Sequence, residues 1–225
     1  NDFSVQIPNK KLNEFDCSEI LRNAGLPVVS SFLINSEGEL PSIFNGDNDK
    51  YVMKIVSSDI QHKTDIGGVI LNIENINDAQ KAYEKILSNV KKNAPEAKID
   101  GVMVSPMIKG GIECILGAKI DPVFGPIVMF GLGGIYAEVM KDIAFAEAPL
   151  SEKKAEKMIS SLKSRDLFYG TRGQLSVDIK SLVKLIVSMS NFIAANSDKV
   201  DQVEMNPVLV SEKQITALDA LIITK

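Results

Sequence analysis

The chain has little of what several kinds of chemistry require. It contains one histidine and two cysteines in 225 residues. Cys17 and Cys114 stand far apart, so they build neither a disulfide framework nor a zinc pattern, and a reducing, cytoplasmic setting is the expectation. One histidine without a neighbouring serine nucleophile excludes a Ser–His–Asp triad. Positive charge is not in excess: 25 Lys and Arg against 29 Asp and Glu give −4. With no basic stripe, nucleic acid is not an expected partner, and a polyanionic ligand would need a local positive site. No apolar run reaches the ~18–20 residues that span a bilayer. The longest candidate, 182–195, is interrupted by Lys184, Ser188, Ser190 and Asn191 and reads as an amphipathic helix, so no membrane partner is expected. The N-terminus has neither a starting Met nor a signal-peptide apolar region, as in a trimmed chain or a domain cut from a longer one. Gly131, Gly133 and Gly134 are followed by no Gly-Lys-Ser/Thr and lack the Rossmann spacing, which excludes a Walker A loop and a dinucleotide fingerprint. Tandem repeats and low-complexity tracts are absent as well.

What is present is an ordinary globular balance, 45% hydrophobic and 24% charged. The length suits one large domain or two small lobes. Leu12, Phe15, Ile20 and Leu21 sit near helical spacing, and Gly25 and Pro27 stop that helix. Strands are expected at 28–34, 51–56, 69–73, 101–107, 112–120 and 126–130, with a turn at 36–39. A final hairpin pairs 203–210 with 214–223. An amphipathic helix carries Ala79, Ala82, Tyr83, Ile86, Leu87 and Val90 behind an Asn77 cap. Two more start at the caps Ser151 and Asp178. Hairpins mixed with crossovers give an α+β (mixed α/β) class. Lys109-Gly110-Gly111 is a flexible break, so the domain is expected as a small lobe, 25–104, and a large lobe, 1–24 plus 105–225.

Four groups of residues could carry chemistry. Lys54 interrupts an otherwise apolar strand face, which suits a phosphate contact or an edge-strand lysine reaching solvent on its long stem. His62 lies in Gln61-His62-Lys63-Thr64-Asp65-Ile66-Gly67-Gly68, between two strands. Gly67 and Gly68 could let backbone N–H groups reach a phosphate, Lys63 adds charge, and Asp65 could hold the imidazole in one tautomer. The same loop could present a nucleophilic nitrogen to a phosphoryl group, or be a surface histidine beside a glycine turn. Glu204 and Asn206 share a strand face, and Asp219 stands on the returning strand among apolar neighbours. Two carboxylates and an amide are oxygen donors suited to Mg²⁺ bound together with phosphates. The glycine cluster at 131–134 marks a close approach to a ligand, another subunit or a turn; Glu113 and Arg172 are further candidates.

In this order the pieces form a resemblance. Tyr51-Val52-Met53-Lys54-Ile55, the His62 loop, Gly110-Gly111-Ile112-Glu113 with Gly117 and Asp121, Phe124-Gly125-Pro126, Phe130-Gly131-Leu132-Gly133-Gly134, Gly170-Thr171-Arg172-Gly173 and Glu204-Met205-Asn206-Pro207 resemble the ATP-grasp domain of ADP-forming acyl–CoA synthetases. That group is related to succinyl–CoA synthetase, and the chain resembles the ATP-side (β) part of its acetate–CoA ligase branch, which would convert acetate, CoA and ATP to acetyl-CoA, ADP and phosphate. The resemblance runs from about residue 12 to the end. It implies an ATP-grasp fold of two lobes with the nucleotide cleft between them. It implies ATP or ADP and Mg²⁺ as ligands, and an acid, CoA and ATP converted to acyl-CoA, ADP and phosphate. His62 would carry the phosphoryl group, aided by Asp65. Lys54, Gly67, Gly68, Glu113 and Arg172 would contact nucleotide, Ser105 and Met107 would line the adenine pocket through backbone groups, and Glu204, Asn206 and Asp219 would hold the metal. The partner would be a CoA-binding α subunit, or an α-type domain fused to this one, in a hetero-oligomer. The chain departs from the family at Ala146, where an arginine is usual. Two other readings stay open: a nucleotide-binding regulatory module fused to another enzyme such as an acyltransferase, and an ATP-grasp ligase that makes acyl phosphates without a phosphohistidine.

Overall fold

The computed structural model describes residues 3–44, 50–60, 62–134, 142–170 and 176–225. They form two compact units: Asn1–Lys10, Asp16–Val28 and Gly110–Lys225 make one, Lys11–Phe15 and Val29–Lys109 the other. Helix α1 (Glu14–Asn23) contributes its first two residues to the second unit and the rest to the first.

The second unit is built on a four-stranded antiparallel sheet of β1 (Phe32–Ile34), β2 (Tyr51–Val56), β3 (Val69–Ile73) and β4 (Gly101–Pro106), in the order β1-β4-β2-β3. Helix α2 (Ile76–Asn93) lays Ala79, Ala82, Tyr83, Ile86 and Val90 on one face. Those residues bury with Ile34, Met53, Ile55, Val102 and Val104 in one apolar core. The helix is capped two residues earlier than the sequence suggested. Asn75 Oδ1 accepts the Asp78 N–H at 3.0 Å, and Asn75 Nδ2 donates to Asp78 Oδ2 at 2.8 Å. That reciprocal pair starts the helix at Ile76, so Asn77 lies inside it. Two other elements differ from expectation. The strand expected at 28–34 is limited to Phe32–Ile34; Val28 belongs to the first unit, where it bridges Ala217. The expected turn at 36–39 continues as a 3₁₀ helix, Glu37–Ser42, started by the Glu39 carboxylate accepting the N–H groups of Asn35 and Ser36 and anchored by fully buried Leu40.

The first unit carries β5 (Ile112–Asp121), β6 (Gly125–Leu132), β7 (Ile143–Glu147), β8 (Val200–Val210), β9 (Ile215–Ala217) and β10 (Ala220–Thr224). The sheet order is β10-β8-β5-β6-β7, with β9 also paired to β8, and every pair is antiparallel. Helices α3 (Glu152–Ser161), α4 (Asp166–Tyr169) and α5 (Ile179–Ala195) complete it, with α3 and α5 starting at the expected caps Ser151 and Asp178. Helix α5 packs on β5, β6 and β8, and α3 on α5 and β7. Among the described residues no helix is long and apolar enough to cross a membrane.

The expected 203–210/214–223 hairpin is more broken than a simple one. Its return arm splits into β9 and β10 at Leu218 and Asp219, opposite Asn206-Pro207. Proline has no N–H to give the ladder, so the pairing is irregular there. The Leu218 N–H reaches Pro207 O at 2.9 Å, and the Asn206 N–H reaches Asp219 O at 3.2 Å.

Candidate functional site

Lys54 stands in the middle of β2, paired to Val69 on one side and Met103 on the other. A central strand fixes its Cα, while its side chain is only 13% exposed. The ammonium lies 3.5 Å from Glu14 Oε1. The ammonium of Lys63, in the His62 loop, lies 2.6 Å from the other oxygen of the same carboxylate. Two lysines from separate stretches thus meet at one place. Sequence reasoning missed Glu14, because nothing in the local pattern of the first helix marks a carboxylate whose partners lie on a strand and a loop far along the chain.

The loop after β2 is closed on itself. The Gly67 N–H donates to Thr64 O at 3.0 Å, and the Gly68 N–H to Lys63 O at 2.8 Å. These two donors therefore hold the turn, and the expectation that they aim at a phosphate is replaced by a structural role. Gly67 has φ +70°, and an added Cβ would meet Asn89 Nδ2 at 2.5 Å. At Gly68 the added Cβ would meet Ile55 Cγ2 at 2.6 Å and Lys63 O at 3.0 Å. Asn89 and Asn93 of α2 donate to Gly67 O and Ile66 O at 2.9 and 3.2 Å, docking the turn onto the helix. His62, just before the closed turn, is exposed, as is Asp65. No hydrogen bond joins them among those of the described residues.

At the end of β4, Ser105 is buried and Met107 half-buried. The Met107 N–H donates to Lys50 O at 2.9 Å, which removes one of the backbone groups expected to meet adenine.

In the first unit, Cys114, Leu116 and Ala118 of β5, Val128 and Phe130 of β6, and Val203 and Met205 of β8 are buried on the side where α5 packs. Strand alternation puts Glu113, Gly117, Lys119, Ile127, Met129, Gln202, Glu204 and Asn206 on the other face. A cavity of about 290 Å³ opens there, lined by Gly117, Met129, Phe145 and Glu204 among others. Asn206 Nδ2 donates to Glu204 Oε1 at 3.1 Å, which turns the amide so that its oxygen is the remaining donor atom. The Asn206–Asp219 backbone bond brings residue 219 beside them, half-buried in the break between β9 and β10. This all-oxygen, partly wet set of two carboxylates and an amide fits Mg²⁺ held together with phosphate oxygens. Among the described residues no group of three His, Cys, Asp or Glu side chains is placed to hold a metal ion.

The glycine cluster has an explanation inside the chain. The Gly133 N–H donates to Glu113 O at 2.7 Å, and an added Cβ would lie 3.0 Å from the Cys114 carbonyl carbon. The close approach is therefore to the backbone of β5. Glu113 itself is exposed. Arg172 lies outside the described residues.

The profile of the ATP-grasp domain family matches residues 5–224. The chain belongs to the ATP-grasp family. Among curated relatives, this ATP-grasp chain is 36% identical over 214 residues to the acetate–CoA ligase (ADP-forming) II subunit beta of Pyrococcus furiosus, covering 94% of the chain and 91% of that subunit. It is 41% identical over 202 residues to the 4-hydroxybutyrate–CoA ligase (ADP-forming) of Nitrosopumilus maritimus, covering 90% of the chain but only 29% of that ligase. The chain thus spans most of a separate β subunit and under a third of a single-chain ligase. Among solved structures, acetyl-coenzyme A synthetase 1 of Ca. Korarchaeum cryptofilum, bound to coenzyme A and Ca-AMPCP, superposes with a TM-score of 0.89 at 37% identity, over 95% of this chain and 93% of that one. A form of the same synthetase with Mg-AMPPCP has its phosphohistidine segment pointing towards the nucleotide site; it gives a TM-score of 0.80 at 33% identity, over 94% and 92% of the two chains.

Proposed function

We propose that this chain is the nucleotide-side part of an ADP-forming acyl–CoA ligase, with His62 carrying the phosphoryl group between ATP and the rest of the enzyme. The observation that carries this reading is the meeting of the Lys54 and Lys63 ammonium groups at one carboxylate, Lys63 being the residue that follows an exposed histidine. Two ammoniums at one point suit a polyphosphate better than a single negative charge. Lys54 holds the nucleotide phosphates, Ser105 and Met107 border the adenine, and Glu113 and Arg172 add contacts. Gly67 and Gly68 act by closing the loop that carries His62. Glu204, Asn206 and Asp219 hold Mg²⁺, which would neutralise charge on the phosphates as it shifts from nucleotide to acceptor.

In the transfer, the lone pair of one imidazole nitrogen attacks the γ-phosphorus. The N–P bond forms as the bond to the β,γ-bridging oxygen breaks, and ADP leaves with that electron pair. The other ring nitrogen then releases its proton to water, with the exposed Asp65 three residues along the same loop. The phosphoryl group then passes to a CoA-binding part, as an α subunit or a fused domain, where the acid is activated as an acyl phosphate. On this reading the chain works in the cytoplasm, where ATP and CoA are supplied, in a hetero-oligomer with that partner. The names of its relatives, acetate and 4-hydroxybutyrate ligases and a trans-feruloyl-CoA synthase, support a carboxylic acid as substrate.

The test is to incubate the chain with γ-labelled ATP and Mg²⁺ and look for acid-labile, base-stable label. Label on the native chain and none on His62→Ala supports the reading. Tight nucleotide binding with no label, even with the CoA-binding partner present, would instead make the domain a regulatory nucleotide sensor.

A further inference from the structure

Glu14, Lys54 and Lys63 come from helix α1, strand β2 and the loop that follows it. Their side chains are 9%, 13% and 18% exposed. An exposed ion pair at these distances would contribute little, but here water is largely excluded and two like charges share one site. Without a carboxylate between them the two ammoniums would repel, and the one on the more mobile support would swing to solvent. Lys54 sits on a central strand. Lys63 has its backbone fixed by the bond from the Gly68 N–H, but its long side chain is directed by Glu14.

We infer that Glu14 is a positioning residue for phosphoryl transfer: each of its carboxylate oxygens faces one ammonium, so that the lysine next to His62 is held beside the lysine on β2. The two ammoniums and the one carboxylate sum to +1, a local excess of positive charge of the sign a phosphate needs. The identification of that ligand as the terminal phosphates of a nucleoside triphosphate rests on the function proposed above. The arrangement of the three side chains does not.

The experiment has two arms, both on the full chain. In the first, lysines are acetylated with a small activated ester and followed by peptide mass spectrometry. Glu14→Gln keeps the volume and removes the charge. It is expected to raise the labelling rate of Lys63 about ten-fold, the scale of a lost charge-assisted hydrogen bond, while exposed Lys85 and Lys213 keep theirs. Glu14→Asp, which retains the charge, should fall between Gln and the native chain. Equal Lys63 labelling in all three overturns the inference, whatever the nucleotide does.

In the second arm, Mg-ATP affinity and the rate of His62 labelling are compared in the native chain, Glu14→Gln, Lys63→Met and the double variant. Nucleotide affinity should fall only a few-fold, because Lys54 stays on its strand, while labelling slows by about ten-fold or more. The double variant should be no slower than Lys63→Met alone, since both changes remove one interaction. Additive losses would show that Glu14 acts only through stability and overturn the inference. If the native chain neither binds nucleotide nor labels, the proposed function fails, and the acetylation contrast still decides the role of Glu14.

Discussion

A methyl group added at Gly68 would collide with Ile55 on one side and with the Lys63 carbonyl on the other. Backbone cannot step aside as a flexible side chain can. Gly68→Ala is therefore expected to destabilise the second unit by about 1–3 kcal/mol, read in urea melts, and to displace the loop that carries His62. Asp142 shows a different single-residue effect. Burial raises its carboxyl pKa, but hydrogen bonds from Ser164 and from the Lys163 N–H outweigh that, and the group ends below the usual aspartate range. A depressed folded pKa means a contribution present above the unfolded value of about 3.9 and lost as pH falls through the folded one. Asp142→Asn should cost about 1–3 kcal/mol at pH 7, and its difference from the native chain should shrink in melts taken progressively below about pH 4. Lys54 and His62 stand out in the sequence because each breaks its surroundings. Glu14 does not, since it is one of 29 acidic residues and only its lysine partners distinguish it.

At the scale of elements, periodicity identified α2, α3 and α5 because each carries an apolar stripe behind a polar cap. The cap of α2 lies two residues before the position the pattern suggests: Asn75 and Asn77 are chemically identical, and only the paired bonds with Asp78 choose between them. Asn75→Ala should lower stability by about 1 kcal/mol, seen as a lower melting temperature with unchanged circular dichroism shape, and Asn77→Ala should have no comparable effect. Strand β7 has no such signature in the sequence. Ile143 and Phe145 are exposed while Ala144 and Ala146 are half-buried, so the usual apolar-in, polar-out alternation is absent. Among the described residues β7 stands at the edge of the sheet, which allows it.

At the scale of the molecule, a ligand that binds only the folded chain stabilises it by mass action. Mg-ATP at roughly a hundred times its dissociation constant should add about 2.7 kcal/mol and raise the melting temperature. Chelating Mg²⁺ with EDTA should remove most of that gain. An unchanged melting temperature at saturating nucleotide would contradict the proposed function.

The sequence by itself determined the class of fold, most helices and strands, and the residues whose type is unusual for their place, because apolar periodicity, caps and glycine breaks act locally. It also carried the family, since the order of several short motifs is written in the chain. Only the tertiary structure decided what those residues touch. It showed that the N–H groups of Gly67 and Gly68 close their own loop, that Gly133 makes room for the backbone of β5, and that Pro207 breaks the return strand beside Asp219. Above all it brought Glu14 to Lys54 and Lys63, since an interaction among a helix, a strand and a loop has no periodicity along the chain and exists only once the chain has folded.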